Sequence, residues 1–133
     1  GGIELTVDGV LIDQSKEVIY KGVMINDVPN LVYAFGYINN SWTLKIELTC
    51  NYVCRLLNYM AKHGFKQVTP QIQEENMLKT PLFEDFTPGY VQREIAKLPK
   101  QGTKLPWRGY QNYFKDLWLL RLVPIKDKAL RFF

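Results

Sequence analysis

Two cysteines, a single histidine and no long apolar run set the first limits on this chain. Cys50 and Cys54 stand four apart inside a helical pattern, where a disulfide would strain the backbone, so both are expected to be small buried hydrophobes. With His63 they cannot make up the four Cys/His ligands of a structural zinc site, and no metal is expected. His63 also lies more than two helical turns past Cys54, which disfavours a Cys–His catalytic pair. None of the 9 glycines forms a GxGxxG or GxxxxGK[ST] pattern, so a self-contained phosphate-cradling loop is absent. No stretch approaches the roughly 18 apolar residues of a membrane span, and no signal-peptide pattern opens the chain. The expectation is a soluble, cytoplasmic protein with no membrane partner. The chain begins at Gly1 rather than Met, which reads as a cut, a processed end or an expression boundary.

What is present suits one domain. In 133 residues, 47% hydrophobic and 14% aromatic content is enough to bury a core. Acidic residues thin out toward the C-terminus: residues 1–92 carry seven Lys/Arg against ten Asp/Glu, and residues 93–133 carry ten against three. Such a basic third is either a footprint for nucleic acid, an anionic cofactor or an acidic partner, or a solvated face opposite an acidic body. The second reading is preferred, because no nucleic-acid motif accompanies the charge.

The stretch from Val28 to Met60 organises the rest. Leu31-Val32-Tyr33-Ala34-Phe35 is uncharged, rich in β-formers and bounded by Pro29-Asn30 and Gly36, so it reads as a strand buried on both faces within a parallel or mixed sheet. From Trp42, the residues Ile46, Thr49, Val53, Leu56, Leu57 and Met60 recur at helical spacing, with Leu44, Leu48, Tyr52 and Tyr59 widening the apolar arc. The narrow polar stripe left to Glu47, Asn51, Arg55, Asn58 and Lys62 predicts a helix embedded on most of its circumference. Asn40 or Ser41 can cap its start and Gly64 its end. A buried strand passing through a glycine turn into a helix N-terminus is how open α/β sheets hold ligands. The turn through Gly36 and Asn39-Asn40 is either such a site or a plain connection.

Around it, Gly1–Ile12 reads as a hairpin turned at Asp8-Gly9, Val18–Tyr20 and Val23–Ile25 as short strands bent at Lys21-Gly22, and Phe65–Val68 as a brief strand. Thr69–Phe86 reads as a long connection, Thr87–Leu98 as a second helix, Lys100–Pro106 as a basic loop and Gly109–Leu122 as a third helix with Tyr110, Tyr113, Phe114 and Leu117 inward. The aromatics between Trp107 and Trp118 suit base stacking or packing, and their helical spacing favours packing.

The runs VPNLVYAFGYINNSWTLK, YVCRLLNYM, GYVQR, LPKQG and PWRGYQNY, with GGIELTVDG and YKGVMINDVPNL before them, resemble the C-terminal portion of bacterial class B flavin-containing monooxygenases, the group that includes Baeyer–Villiger-type enzymes. The similarity spans nearly the whole chain; Ile38 and Asn40 stand where Thr and Ala are usual. The resemblance implies an α+β chain that is a fragment of an α/β FAD-binding fold: short N-terminal strands, one long buried helix and two C-terminal helices. Residues 1–68 would be a piece of the FAD-binding domain and 69–133 a C-terminal extension. It further implies a parent enzyme that binds FAD and NADPH in Rossmann-type domains upstream and oxygenates a ketone, amine or sulfide through a flavin C4a-(hydro)peroxide. Gly36, Tyr37, Asn39, Ser41, Trp42 and Thr43 are then the flavin-side candidates. Lacking the glycine fingerprints, the chain alone is expected neither to hold FAD tightly nor to turn over substrate. The alternative is a self-standing interaction module that dimerises, or binds through its basic surface, without catalysis.

Overall fold

The computed structural model describes residues 3–73, 79–82 and 95–133. Its first elements are two hairpins, each turned by residues at positive φ. β1 (Thr6–Val7) pairs antiparallel with β2 (Val10–Leu11), Val7 facing Val10, across Asp8 at φ 51° and Gly9 at φ 80°. Two successive positive-φ residues match the right-handed twist of the strands, which is why Asp-Gly turns a hairpin here. A single 3₁₀ turn at Gln14–Lys16 follows, with Asp13 Oδ1 accepting from Ser15 N at 3.2 Å. β3 (Ile19–Tyr20) then pairs with β4 (Met24–Ile25) across Lys21 at φ 51° and Gly22 at φ 71°. These four strand residues are all buried, and with Val18 and Val23 they floor the core.

The segment Leu31–Phe35 is not the doubly buried strand that its composition predicts. It stays extended enough to stack the rings of Tyr33 and Phe35 at 5.4 Å, but it joins no ladder among the described residues, and its side chains are half-buried or exposed. Its backbone bond to the hairpin is Tyr33 N to Val23 O at 2.7 Å. A strand buried on both faces needs neighbours at both edges and a layer above and below. The described residues supply neither.

α1 (Trp42–His63) has the predicted bounds and stop. Gly64 sits at φ 73° and donates to Ala61 O, while Phe65 N reaches Met60 O at 2.9 Å, the paired bonds that satisfy the last carbonyls of a helix. The inner face is Lys45, Leu48, Thr49, Tyr52, Leu56 and Met60. The opposite face is open, which corrects two expectations. The helix is buried on one side rather than on most of its circumference, with Trp42 54% and Leu57 57% exposed. Cys50 and Cys54 are exposed on that open side, not buried. The wide apolar arc is real, but the described residues pack only half of it.

Beyond α1, distant segments pair. β5 (Val68–Pro70) is antiparallel to β8 (Leu130–Phe132), and β6 (Lys79–Pro81) to β7 (Lys100–Gly102). The brief strand thus starts at Val68 rather than Phe65, and the expected basic loop at Lys100–Pro106 opens as a strand. Of the second predicted helix, residues 87–94 lie outside the described residues. The third begins later than Gly109: α2 (Tyr113–Leu117) is capped by Asn112, whose Oδ1 accepts from Lys115 N at 3.0 Å, and runs on as a π-helical turn, Trp118–Leu122. Phe114, read as inward, is 77% exposed, whereas Trp107 is buried edge-on against Tyr20, ring centroids 5.7 Å apart. Packing thus claims Trp107 but not Phe114 or Trp118.

One cluster joins these parts. Tyr20, Met24, Leu48, Tyr52, Leu56, Val68, Trp107, Leu120 and Leu130 meet in a shared core, each aliphatic worth roughly 1.5–3 kcal/mol on burial. Arg55 fastens α1 to the end of the π turn, donating from Nη1 to Leu120 O at 2.7 Å and from Nη2 to Val123 O at 2.8 Å. The architecture is mixed α and β with small separate two-stranded sheets, as the α+β expectation required. Among the described residues no helix is long and apolar enough to cross a membrane.

Candidate functional site

The turn from Gly36 into α1 has a buried root and an exposed tip. Gly36 and Tyr37 are buried; Ile38, Asn39, Asn40, Ser41, Trp42 and Thr43 are exposed. At the root, a Cβ on Gly36 would overlap the Trp42 indole, so only glycine lets that ring fold back over the turn. At the tip, the polar groups engage one another: Asn40 Oδ1 accepts from Ser41 N at 2.7 Å, and the Ser41 and Thr43 hydroxyls lie 2.8 Å apart. Ser41 is the N-cap residue, yet its side chain caps no N–H of the first turn. A helix leaves its first N–H groups without intrahelical partners, and here no cap hydroxyl takes them up.

Two segments hold this turn from behind. Gln111, just before α2, accepts Ile38 N on Oε1 at 2.9 Å and Asn39 Nδ2 on its carbonyl at 3.2 Å. Asp116 of α2, with no exposed surface, takes the Tyr37 hydroxyl on Oδ2 at 2.7 Å. The same Oδ2 lies 2.7 Å from Lys45 Nζ, a lysine only 4% exposed. Lys45 Nζ also stands 5.6 Å from the centre of the Tyr37 ring. Beyond their ion pair, neither Lys45 Nζ nor Asp116 Oδ1 has a hydrogen-bond partner among the described residues.

Burial dominates the electrostatics of this trio. It holds the Asp116 carboxyl above the ordinary carboxylate range against the pull of Lys45, and the Lys45 ammonium below the ordinary lysine range against the pull of Asp116. It also raises the Tyr37 hydroxyl, which therefore acts as a proton donor to Asp116 and not as an anion.

A cleft opens beside the trio, lined by Ile19, Phe35, Gly36, Lys45, Gly109 and Gln111 among others. Its floor is two backbones in contact: a Cβ on Gly22 would come within 3.3 Å of Gly109 Cα and 3.8 Å of Lys45 Nζ. Of the six residues expected from the sequence, Gly36 borders the cleft, Tyr37 is in the buried trio and the other four form the exposed rim. Lys45, Gln111 and Asp116 were missed. A lone lysine among apolar neighbours near a helix start was the available signal for Lys45; nothing in sequence links Asp116 to a turn almost eighty residues earlier.

His63 belongs to none of this. It lies at the far end of α1, its Nδ1 2.8 Å from Tyr59 O. Among the described residues no cluster of His, Cys, Asp and Glu suits a metal ion.

Comparison with known proteins adds what geometry cannot. The chain is 46% identical over 132 residues to the FAD-containing monooxygenase EthA of Mycobacterium tuberculosis, a match covering 99% of this chain and 27% of that enzyme. It is 42% identical over 132 residues to the probable FAD-binding monooxygenase AlmA of Acinetobacter baylyi, covering 99% of the chain and 26% of AlmA. To the putative FAD-containing monooxygenase MymA of M. tuberculosis it is 40% identical, with 99% and 27% covered. Over nearly its whole length the chain is therefore similar to one part of bacterial FAD-containing monooxygenases. The resemblance to part of such an enzyme is borne out, and the chain spans about a quarter of the length of the relatives it matches. No family model matches the chain, and no solved structure does.

Proposed function

We propose that this chain forms the C-terminal portion of a class B, Baeyer–Villiger-like flavin monooxygenase, and that the rim from Gly36 to Thr43 faces the flavin. The parent enzyme uses NADPH and O₂ to oxygenate a small organic substrate. The observation that carries the reading is the open, uncapped N-terminus of α1 in a chain whose relatives are named as FAD-containing enzymes.

The residues present fit such a ring. First-turn N–H groups without a side-chain cap are donors aimed outward, and the positive end of a helix favours negative charge by about 0.3–1 kcal/mol. The exposed polar residues Asn39, Asn40, Ser41 and Thr43 lie just before and within that first turn. When bound, FAD supplies the redox chemistry. This chain's residues hold and shield: the helix end and its polar rim bind the polar edge of the ring, and the Trp42 indole, folded over Gly36, excludes water from one side.

The open side of α1, with Trp42, Cys50, Cys54 and Leu57, supports a second element of the reading: the upstream Rossmann-type domains of the parent pack there. Titrating the 133-residue chain with FAD and following flavin fluorescence tests the division of labour. Weak or absent binding is expected, and a stoichiometric submicromolar complex would overturn it. In the full-length enzyme, Asn39→Ala and Ser41→Ala test the flavin-facing rim: each should weaken FAD retention, and unchanged retention in both would remove the flavin from this turn.

A further inference from the structure

Groups from two adjoining elements converge on one oxygen atom of a third that is distant in sequence. Asp116 Oδ2 receives the hydroxyl of Tyr37 from the turn and the ammonium of Lys45 from the start of α1, each at 2.7 Å, and Asp116 itself comes from α2. Asp116 has no exposed surface and Lys45 only 4%.

Stability alone does not account for this arrangement. A buried ion pair loses so much hydration that an apolar pair of similar volume is often as stable or more so. Lys45 is also misplaced by the usual preference, since a cation near a helix N-terminus opposes the helix dipole. Asp116 offsets that charge, and its remaining oxygen has no hydrogen-bond partner among the described residues. Sites that break local rules in this way are expected where position matters more than stability.

We propose that Asp116 is a positioning residue for the rim of α1, acting through Tyr37 and Lys45. The Tyr37 bond fixes the root of the turn, the Lys45 pair fixes the first turn of the helix, and the two share one acceptor. Their relative placement is therefore set by a single carboxylate. Gln111 adds a second tether from the same segment, through Ile38 N and Asn39 Nδ2. The inference rests on the flavin-facing reading above and extends it from the residues that meet the ring to the buried one that sets where they stand.

The test uses the full-length, FAD-loaded enzyme. Asp116→Asn combined with Lys45→Met removes both charges while leaving Tyr37 an oxygen to donate to. Asp116→Leu with Lys45→Met removes that acceptor as well. Tyr37→Phe removes one hydroxyl and leaves the ion pair. Measured are the flavin absorption spectrum, FAD affinity, kcat and KM, and the unfolding midpoint of the apoprotein.

Tyr37→Phe and the Asn/Met pair should leave the apoprotein midpoint close to that of the parent. Both should shift the flavin spectrum and weaken FAD about tenfold, the scale of one charge-assisted hydrogen bond. The Leu/Met pair should weaken FAD further. A parental spectrum, affinity, kcat and KM in both Tyr37→Phe and the Asn/Met pair would overturn the inference and leave the trio a packing feature. If the double variants fail to fold, Tyr37→Phe alone decides. The rim variants Asn39→Ala and Ser41→Ala separate the two failures. Rim variants that disturb the flavin beside silent trio variants sink only the positioning role, whereas silence in every variant sinks the flavin-facing reading with it.

Discussion

The indole of Trp42 lies across Gly36 so closely that a Cβ added there would overlap ring carbons Cγ, Cδ2 and Cε3. Gly36→Ala must therefore push the indole off the turn. The expected cost is about 1–3 kcal/mol, typical of forcing extra volume into a packed site, read as a lower urea midpoint together with a red-shifted Trp emission. A midpoint and emission equal to those of the parent would mean that the ring does not rest on the turn in solution.

Arg55 closes two carbonyls at once, Leu120 O and Val123 O, at the end of the π turn. Arg55→Met should destabilise the chain by about 1–3 kcal/mol, because partly buried acceptors lose their donors. Arg55→Lys should recover only part of this, since one ammonium does not reproduce the fork of a guanidinium. Full recovery by lysine in urea unfolding would show that charge, not fork geometry, matters there.

Burial holds Asp116 above 3.8 and Lys45 below 10.5, and the two shifts give opposite slopes of stability with pH. The folded state keeps the Asp116 proton longer than the unfolded state does. That contribution is therefore full below pH 3.8 and is lost as pH rises through the raised folded value. For Lys45 the unfolded state keeps its proton longer, so stability is regained as pH climbs from the lowered folded value toward 10.5. Subtracting the Asp116→Asn/Lys45→Met unfolding free energies from those of the parent should leave a trough at intermediate pH. A flat difference would show that the pair does not titrate across unfolding.

Both thiols on the open side of α1 should react with a soluble disulfide reagent in the folded 133-residue chain, giving two equivalents. In the full-length enzyme they should be protected if upstream domains cover that side. Equal, rapid labelling in both would leave the outer face of α1 bare in the parent and remove the packing partner proposed for it.

The parts legible in sequence are those governed by local chemistry. Asp8-Gly9 turns its hairpin, Gly64 ends α1 and the 3.6 period from Trp42 gives the helix, because each depends on residues a few positions apart. The parts that were not legible depend on partners far away. Lys79–Pro81 and Lys100–Gly102 have little β character of their own, Thr80 apart, and become strands by pairing with each other. Among the described residues Leu31–Phe35 has that character and finds no ladder, and the wide apolar arc of α1 is packed on one side only. Composition shows what a segment can bury, not what lies beside it. The candidate site divides the same way: the glycine bend at Gly36 and the helix start at Trp42 are local features, while the Asp116 carboxylate behind them comes from another part of the chain.

The pairing of β5 with β8 has a kinetic consequence. Gln67 must wait for Phe133 before its N–H and C=O are paired, so the ladder beside Met60 at the end of α1 closes through a loop of more than sixty residues. Contacts so distant in sequence slow the search for the native state, whereas α1 can coil from neighbouring residues alone. The helix should therefore form early and wait, with its inner face wet, for the slowest knot in the chain to be tied.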